Sequence, residues 1–282
     1  MGLRWLVLFI FCLASVSAEF AKVKYSFSKE PIDVVIPCAP KDRETLALCI
    51  EGIRTHGKNI RRVIVVSKEK LTDEAEWFSE KLYPFSKEDL ALEIFQDQKA
   101  AEKFLHRKNS RIGWIYQQFL KLYAPFVIPK ISSNVLILDA DVIFLQPVAF
   151  MDEEGRGLLN IATEYHLPYF GHMKRLLPDL QRVHAEYSGI THHMLFQKPV
   201  LEDLFSLISQ RHGVEPWRAI CRAIESKKMP PSCLSEYEIY FNFALLRTDQ
   251  IKIRSLPFMD VHPLKKIAKY KDYAYITSHV RP

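Results

Sequence analysis

Apolar and polar positions along this chain repeat with two different periods, and each change of period marks an element. Ile32 to Ile36 is a short apolar, β-branched run closed by Pro37, which has no N–H to give to a ladder, so a strand is expected to end there. Behind Asp42, the residues Leu46, Cys49, Ile50 and Ile53 recur at helical spacing. The stretch RRVIVVS (61–67) predicts a second strand, and TDEAEWFSEKL, with Thr72 as N-cap, a second helix. Residues 86–110 are charged and partly helical, with a short strand expected at Leu92 to Phe95. In RIGWIYQQFLKLYAPFVI, an apolar face of Trp114, Ile115, Phe119, Leu122 and Tyr123 is flanked by Gln117, Gln118 and Lys121; Pro125 is expected to end or bend this helix. A buried strand, Asn134 to Leu138, follows.

Beyond it the pattern shortens. GLLNIATE (157–164) predicts a strand, and Leu167 to Tyr187 helix and loop with turn points at Pro168, Gly171 and Pro178. GITHHMLFQKP is strand-like and precedes a helix from Val200 to Ser209; another helix, Glu215 to Ile224, leads to the break at Pro230-Pro231. SEYEIYFNFALL opens with Ser235 and Glu238, an S-x-x-E capping box, before a strongly apolar helix. The tail alternates short strand-like pieces. Strand, helix, strand, helix in the first half predicts an α/β open sheet, and the second half is mixed α+β.

Composition narrows the class. A chain of 282 residues that is 48% hydrophobic can bury one large core, and residues 31–282 are expected to form a single domain. Only nine glycines, no biased tract and no internal period exclude collagen, disorder and repeat arrays. The net charge of +6 suits an anionic ligand, yet the basic residues are scattered and no basic helix interleaved with aromatics occurs, so no nucleic acid is expected as partner. Residues 1–18 differ from the rest: Arg4, an apolar run from Trp5 to Ala14, then small residues up to Ala18. These are the parts of a secretory signal peptide, with an uncleaved signal anchor as the alternative, so the protein is expected to be exported or in the secretory pathway. Membrane contact is expected only if that segment is retained. Of Cys38, Cys49, Cys221 and Cys233, the pair Cys221 and Cys233 is the first expected disulfide; the spacing fits no zinc pattern.

The chemistry concentrates in SNVLILDADVIFLQP, where the halves 31–146 and 147–282 meet. Continued strand geometry would project Asp139 and Asp141 to one side, at the carboxyl end of an apolar strand, where open α/β sheets bind ligands. Two close carboxylates repel, and a hard divalent cation, Mn²⁺ or Mg²⁺, relieves that repulsion. A phosphatase with Asp139 as nucleophile would also end a strand this way, but no downstream pair of acids follows, and about a hundred residues of α/β precede the motif.

Five ordered blocks, VVIPCAPKD, GWIYQQFLKLYAP, LILDADVIFLQP, GITHHMLFQ and SEYEIYFNF, resemble the GT-A nucleotide-sugar glycosyltransferases over residues 31–282. The chain is particularly similar to a family of such proteins known mainly from sequence. The resemblance implies a Rossmann-like, GT-A-like mixed central sheet flanked by helices, with 31–146 as nucleotide-binding half and 147–282 as acceptor-side half. It implies a nucleotide-sugar donor and a glycan, lipid or protein acceptor. By the same resemblance Pro37, Cys38, Ala39, Lys41 and Asp42 line the nucleoside, and Gln118 and Lys121 approach the phosphates. Asp139 and Asp141 hold the metal with His279, or His262 as second choice; Glu236 and one of His192 and His193 serve the acceptor or act as base. A member that keeps the fold and binds nucleotide or glycan without turnover is the rival reading.

Overall fold

Ile32–Pro37 (β1) is buried at every position, the mark of a strand covered on both faces. In the computed structural model, which describes residues 20–264 and 267–278, it is the middle of a five-stranded sheet. Its neighbours are Ile60–Ser67 (β2), Glu76–Ser79 (β3), Asn134–Leu138 (β4) and His193–Gln197 (β7), in the order β3-β2-β1-β4-β7. All pairs are parallel except β4 with β7, where Leu138 faces His193. The fold is therefore the expected α/β arrangement, a mixed central sheet flanked by helices. Val142–Phe144 (β5) pairs antiparallel with Tyr275–Thr277 (β10), which pairs parallel with Phe258–Asp260 (β9) in a three-stranded sheet. Leu158–Asn160 (β6) and Lys252–Arg254 (β8) form a parallel pair.

The helices are α1 (Arg43–His56), α2 (Lys87–Phe95), α3 (Gln98–Leu105), α4 (Ile112–Val127), α5 (Leu167–Leu176), α6 (Lys198–His212), α7 (Pro216–Arg222) and α8 (Glu236–Arg247). Alternation along the strands feeds two cores. Val35, Val135 and Ile137 pack with Ile115, Phe119 and Leu122 of α4 and Ile239 and Phe243 of α8. Val34, Ile36, Leu136 and Leu138 pack with Leu46, Cys49, Ile50 and Ile53 of α1 and with Phe144. Each such fully buried aliphatic side chain contributes about 1.5–3 kcal/mol. Residues 20–31 run outside as an extended strap: Val23 N–H donates to Arg247 O at 2.7 Å, and Asn134 Nδ2 donates to Ser28 O and Glu30 O at 2.9 Å each. No helix among the described residues is long and apolar enough to cross a membrane; the signal segment lies outside them.

Several expected elements differ. The helix predicted over TDEAEWFSEKL is a turn followed by β3, and Thr72 Oγ1 accepts from Glu74 N–H at 3.1 Å as a local turn bond. The open edge of β2 takes Trp77 and Phe78 as ladder partners. The strand expected at Leu92 to Phe95 belongs to α2, whose start is fixed by a reciprocal Ser86–Asp89 capping box. Pro125 lies within α4, one turn from its end. All four described cysteines are buried thiols, so the Cys221–Cys233 bridge is not formed. Burial pushes the Cys233 thiol up to about 12.

Candidate functional site

The D-x-D motif is a corner between two sheets. β4 ends at Leu138, Val142 N–H donates back to Asp139 O at 3.1 Å, and β5 continues in the three-stranded sheet. The period-two geometry expected for Asp139 and Asp141 is thus replaced by a turn. Three other segments hold it. Asp139 N–H donates to His192 O at 3.0 Å, Cys49 Sγ to Asp139 O at 3.6 Å, and Ser278 N–H to Asp141 O at 3.0 Å. Both aspartates stay partly exposed.

Asp139 is anchored by a buried ion-pair chain. Lys121 Nζ, from α4, lies 2.6 Å from Asp139 Oδ1 and 2.6 Å from Glu236 Oε1. Lys121 and Glu236 are only 3% and 1% exposed, so the Glu236 carboxylate depends on Lys121, while Lys121 is balanced by Asp139 as well. The Tyr237 hydroxyl donates to Asp139 Oδ1 at 3.3 Å, and the Lys121 ammonium sits 4.4 Å from the Tyr237 ring centre. Glu236 opens α8, where the helix dipole favours an acid. Burial opposes the charge on Asp139, but Lys121 and His192 hold its carboxyl well below the usual range. Burial likewise works against the Lys121 charge, and Asp139 with Glu236 keep it protonated far above the ordinary lysine value. Burial pushes Glu236 up despite Lys121.

The two histidines of THHM separate. His192, with φ of 62°, precedes β7 and turns its Nδ1 to 3.5 Å from Asp139 Oδ2, with Nε2 3.9 Å from Asp260 Oδ1. Burial opposes its charge, and Asp139 overcomes this to raise its proton affinity. His193 enters the core: its Nδ1 meets Thr191 O at 3.0 Å, and Phe144, Phe150 and Tyr275 surround the ring at 5.3, 5.8 and 4.9 Å. Burial pushes it down to about 3, so it is neutral and has no opening to a substrate. Glu236, expected to serve the acceptor or act as base, has its carboxylate buried against Lys121. Glu238 does not complete the capping box. Ser235 accepts from Glu238 N–H, but the Glu238 carboxylate accepts from Gly189 N–H at 2.8 Å and Asn242 Nδ2 at 2.7 Å, tying α8 to the segment before His192.

Residues 37–42 lie at the carboxyl end of β1, one strand from the corner. Cys38 N–H donates to Val66 O at 3.0 Å, and its buried thiol is pushed up to about 12 by burial, Asp42 and Asp141. Lys41 is exposed, and Ala39 and Asp42 are partly buried. Gln118 turns into the core and donates to Trp114 O of its own helix at 3.2 Å, whereas Gln117 reaches the loop, donating to Pro37 O at 3.3 Å. Tyr237 and Asp260 are the side chains the sequence reading passed over, and Gln117 was named there only on the flank of its helix. Asp260 ends β9 and accepts from the Thr277 hydroxyl; an acid ending a second short strand was the available signal. His262 is exposed in the loop after β9, and His279 lies outside the described residues.

Two carboxylates at the corner supply hard oxygen donors of the kind Mg²⁺ and Mn²⁺ take. Among the described residues they form a pair, and no group of three or more histidine, cysteine, aspartate or glutamate side chains gathers as a ligand cluster. That fits a cation completed by ligand oxygens.

In sequence the chain matches no curated protein. In structure it is similar to mouse xyloside xylosyltransferase 1 in its apo form, at 11% identity and a TM-score of 0.42, over 88% of this chain and 97% of that one. The sequence profile of a family of unknown function, DUF6492, matches residues 29–258, which include the D-x-D corner, THHM and the whole of α8. The chain belongs to that family.

Proposed function

We propose that the protein is a metal-dependent glycosyltransferase that moves a sugar from a nucleotide-diphosphate donor, UDP-linked in the first instance, to a separate acceptor. The observation that carries this reading is the Asp139–Asp141 corner at the carboxyl end of a central strand, with Asp139 held ionised by buried Lys121. In this reading the loop 37–42 takes the nucleoside, and Asp139 and Asp141 take Mn²⁺ or Mg²⁺ against the diphosphate. Held there, such a cation would supply positive charge to the phosphates and to the departing nucleotide. Lys121 and Tyr237 fix the position and charge of Asp139, Glu236 fixes Lys121, and His192 caps the other carboxylate oxygen. Action along the export route, where the expected signal peptide would deliver the chain, belongs to the same proposal.

A second reading, recognition of a nucleotide or glycan without turnover, is favoured by one observation: Glu236, the expected base, is buried and ion-paired. Calorimetric titration of UDP and GDP, with and without Mn²⁺, tests the first reading on wild type and on Asp141→Ala, which spares the Lys121 ion pairs. Manganese-dependent binding to wild type, weakened at least about tenfold in the variant, is the expected result. Unchanged binding in Asp141→Ala, or none to wild type, sinks the metal assignment. Binding without release of sugar from any UDP-sugar, with or without acceptors, selects the second reading.

A further inference from the structure

Three arginines in this molecule each meet one carboxylate through the same geometry. Arg61 donates from Nε and Nη2 to Asp33 at 2.9 and 2.6 Å, and Arg62 from the same edge to Glu76 at 2.9 and 2.7 Å. Arg247 does so to Asp203 at 2.6 and 3.3 Å. Two parallel N–H groups on that edge match two oxygens of a carboxylate or phosphate. On Arg254, in β8, the same two nitrogens, Nε and Nη2, are buried and neither has a hydrogen-bond partner. A guanidinium withdrawn from water without an anion is costly; burial pushes Arg254 down to about 10. Arg182 also buries an unpartnered Nε. Its charge, however, faces the Tyr165 and Phe170 rings at 4.7 and 5.2 Å, and its Nη2 donates to Tyr187 O at 3.3 Å.

Arg254 stands opposite Asn160 in the β6–β8 pair. Its neighbour Ile253 packs on the core beneath the central sheet, so alternation turns Arg254 to the other side, where its charge acts on Tyr275 and His193. From there a chain of contacts leads to the corner. Asn160 Nδ2 donates to the Tyr275 hydroxyl at 3.0 Å, Tyr275 stacks on Phe258 at 4.9 Å, and Phe258 meets His192 at 6.2 Å. Arg254 thus belongs to the 147–282 half and is joined through Tyr275, Phe258 and His192 to Asp139.

We propose that Arg254 is an oxyanion-binding residue whose Nε–H and Nη2–H take two oxygens of a carboxylate or phosphate group on a sugar ligand. Resting on the transferase reading, that sugar is the acceptor, which is then anionic. The test follows the arginine Nε–H signals of the ¹⁵N-labelled full chain during titration with glucuronate, glucose 6-phosphate and neutral glucose. One Nε–H, assigned by its loss in Arg254→Gln, is expected to shift saturably with at least one of the two anions and not with glucose. Which anion acts tells carboxylate from phosphate. Arg254→Lys is expected to bind that anion at least about tenfold more weakly, a point charge replacing the fork. No response to either anion, an equal response to glucose, or undiminished binding by Arg254→Gln overturns the proposal. If that variant does not fold, the wild-type response to anions against glucose decides. UDP titration of wild type with Mn²⁺ runs in parallel: an anion response without UDP binding overturns the transferase reading and leaves Arg254 standing.

Discussion

Lys121 shows how much one side chain carries when it is buried between two acids. Replacing it by methionine keeps the volume and leaves Asp139 and Glu236 facing each other without a cation. Removing one partner of such a buried pair costs about 3–5 kcal/mol. The unfolding free energy of Lys121→Met, measured by urea titration, is expected to fall by that amount, and Lys121→Met with Glu236→Gln to recover part of it. Lack of recovery in the double variant would show that Lys121 acts by packing alone. In the sequence Lys121 was already a candidate through the family resemblance, but its two partners were not legible. Asp139 and Glu236 lie 18 and 115 positions away, and nothing in a local period reports a contact at such separation. His192 and His193 show the same limit. Alternation says that they part, while only the neighbouring rings of Phe144, Phe150 and Tyr275 decide which one the core takes.

At the scale of elements, helix α1 and strand β5 approach so closely that their contact needs a glycine. A Cβ on Gly52 would lie 2.9 Å from Phe144 N and 3.0 Å from Phe144 O. Helix propensity alone would make Gly52→Ala stabilising by about 1 kcal/mol. The backbone contact reverses the sign, and a loss of about 1–3 kcal/mol is expected in denaturant unfolding. β5 begins directly after Asp141, so manganese-dependent UDP binding should weaken with it; a stabilised variant would refute the close contact. α1 and α4 were legible from helical spacing, α8 from its S-x-x-E start and apolar run, and β1, β2 and β4 from their apolar runs. β3 and α2 were not. Trp77 and Phe78 are compatible with either a helix face or an edge strand, and the free edge of β2, a tertiary fact, decides between them.

For the whole molecule, β1 and β4 send alternate side chains into both cores, so the halves 31–146 and 147–282 share one scaffold. Its acid stability rests on histidines buried uncharged. His172 Nε2–H donates to Ile220 O at 3.0 Å while Nδ1 is buried with no partner. Burial holds its pKa down to about 4, and His193 down to about 3. Both lie below the ordinary value near 6.5, so the unfolded chain binds more protons as pH falls below about 6.5, and each histidine removes about 1.4 kcal/mol of stability per pH unit until its folded pKa is reached. His192, held above the ordinary value, acts in the range above about 6.5 and leaves this window alone. His172→Gln keeps a donor for Ile220 and is expected to flatten the loss between pH 6 and 5; urea midpoints at the two pH values measure it, and an unchanged slope would place the acid sensitivity elsewhere. The strap and the tail leave the molecule at unlike places. Residues 20–31 leave beside Arg247, at the end of α8 about 18 Å from Glu236, whereas Ser278 is bonded to Asp141 itself. An oligohistidine purification handle added behind the tail would bring competing imidazoles to the D-x-D corner and counterfeit the metal titration, so the handle belongs on the strap side.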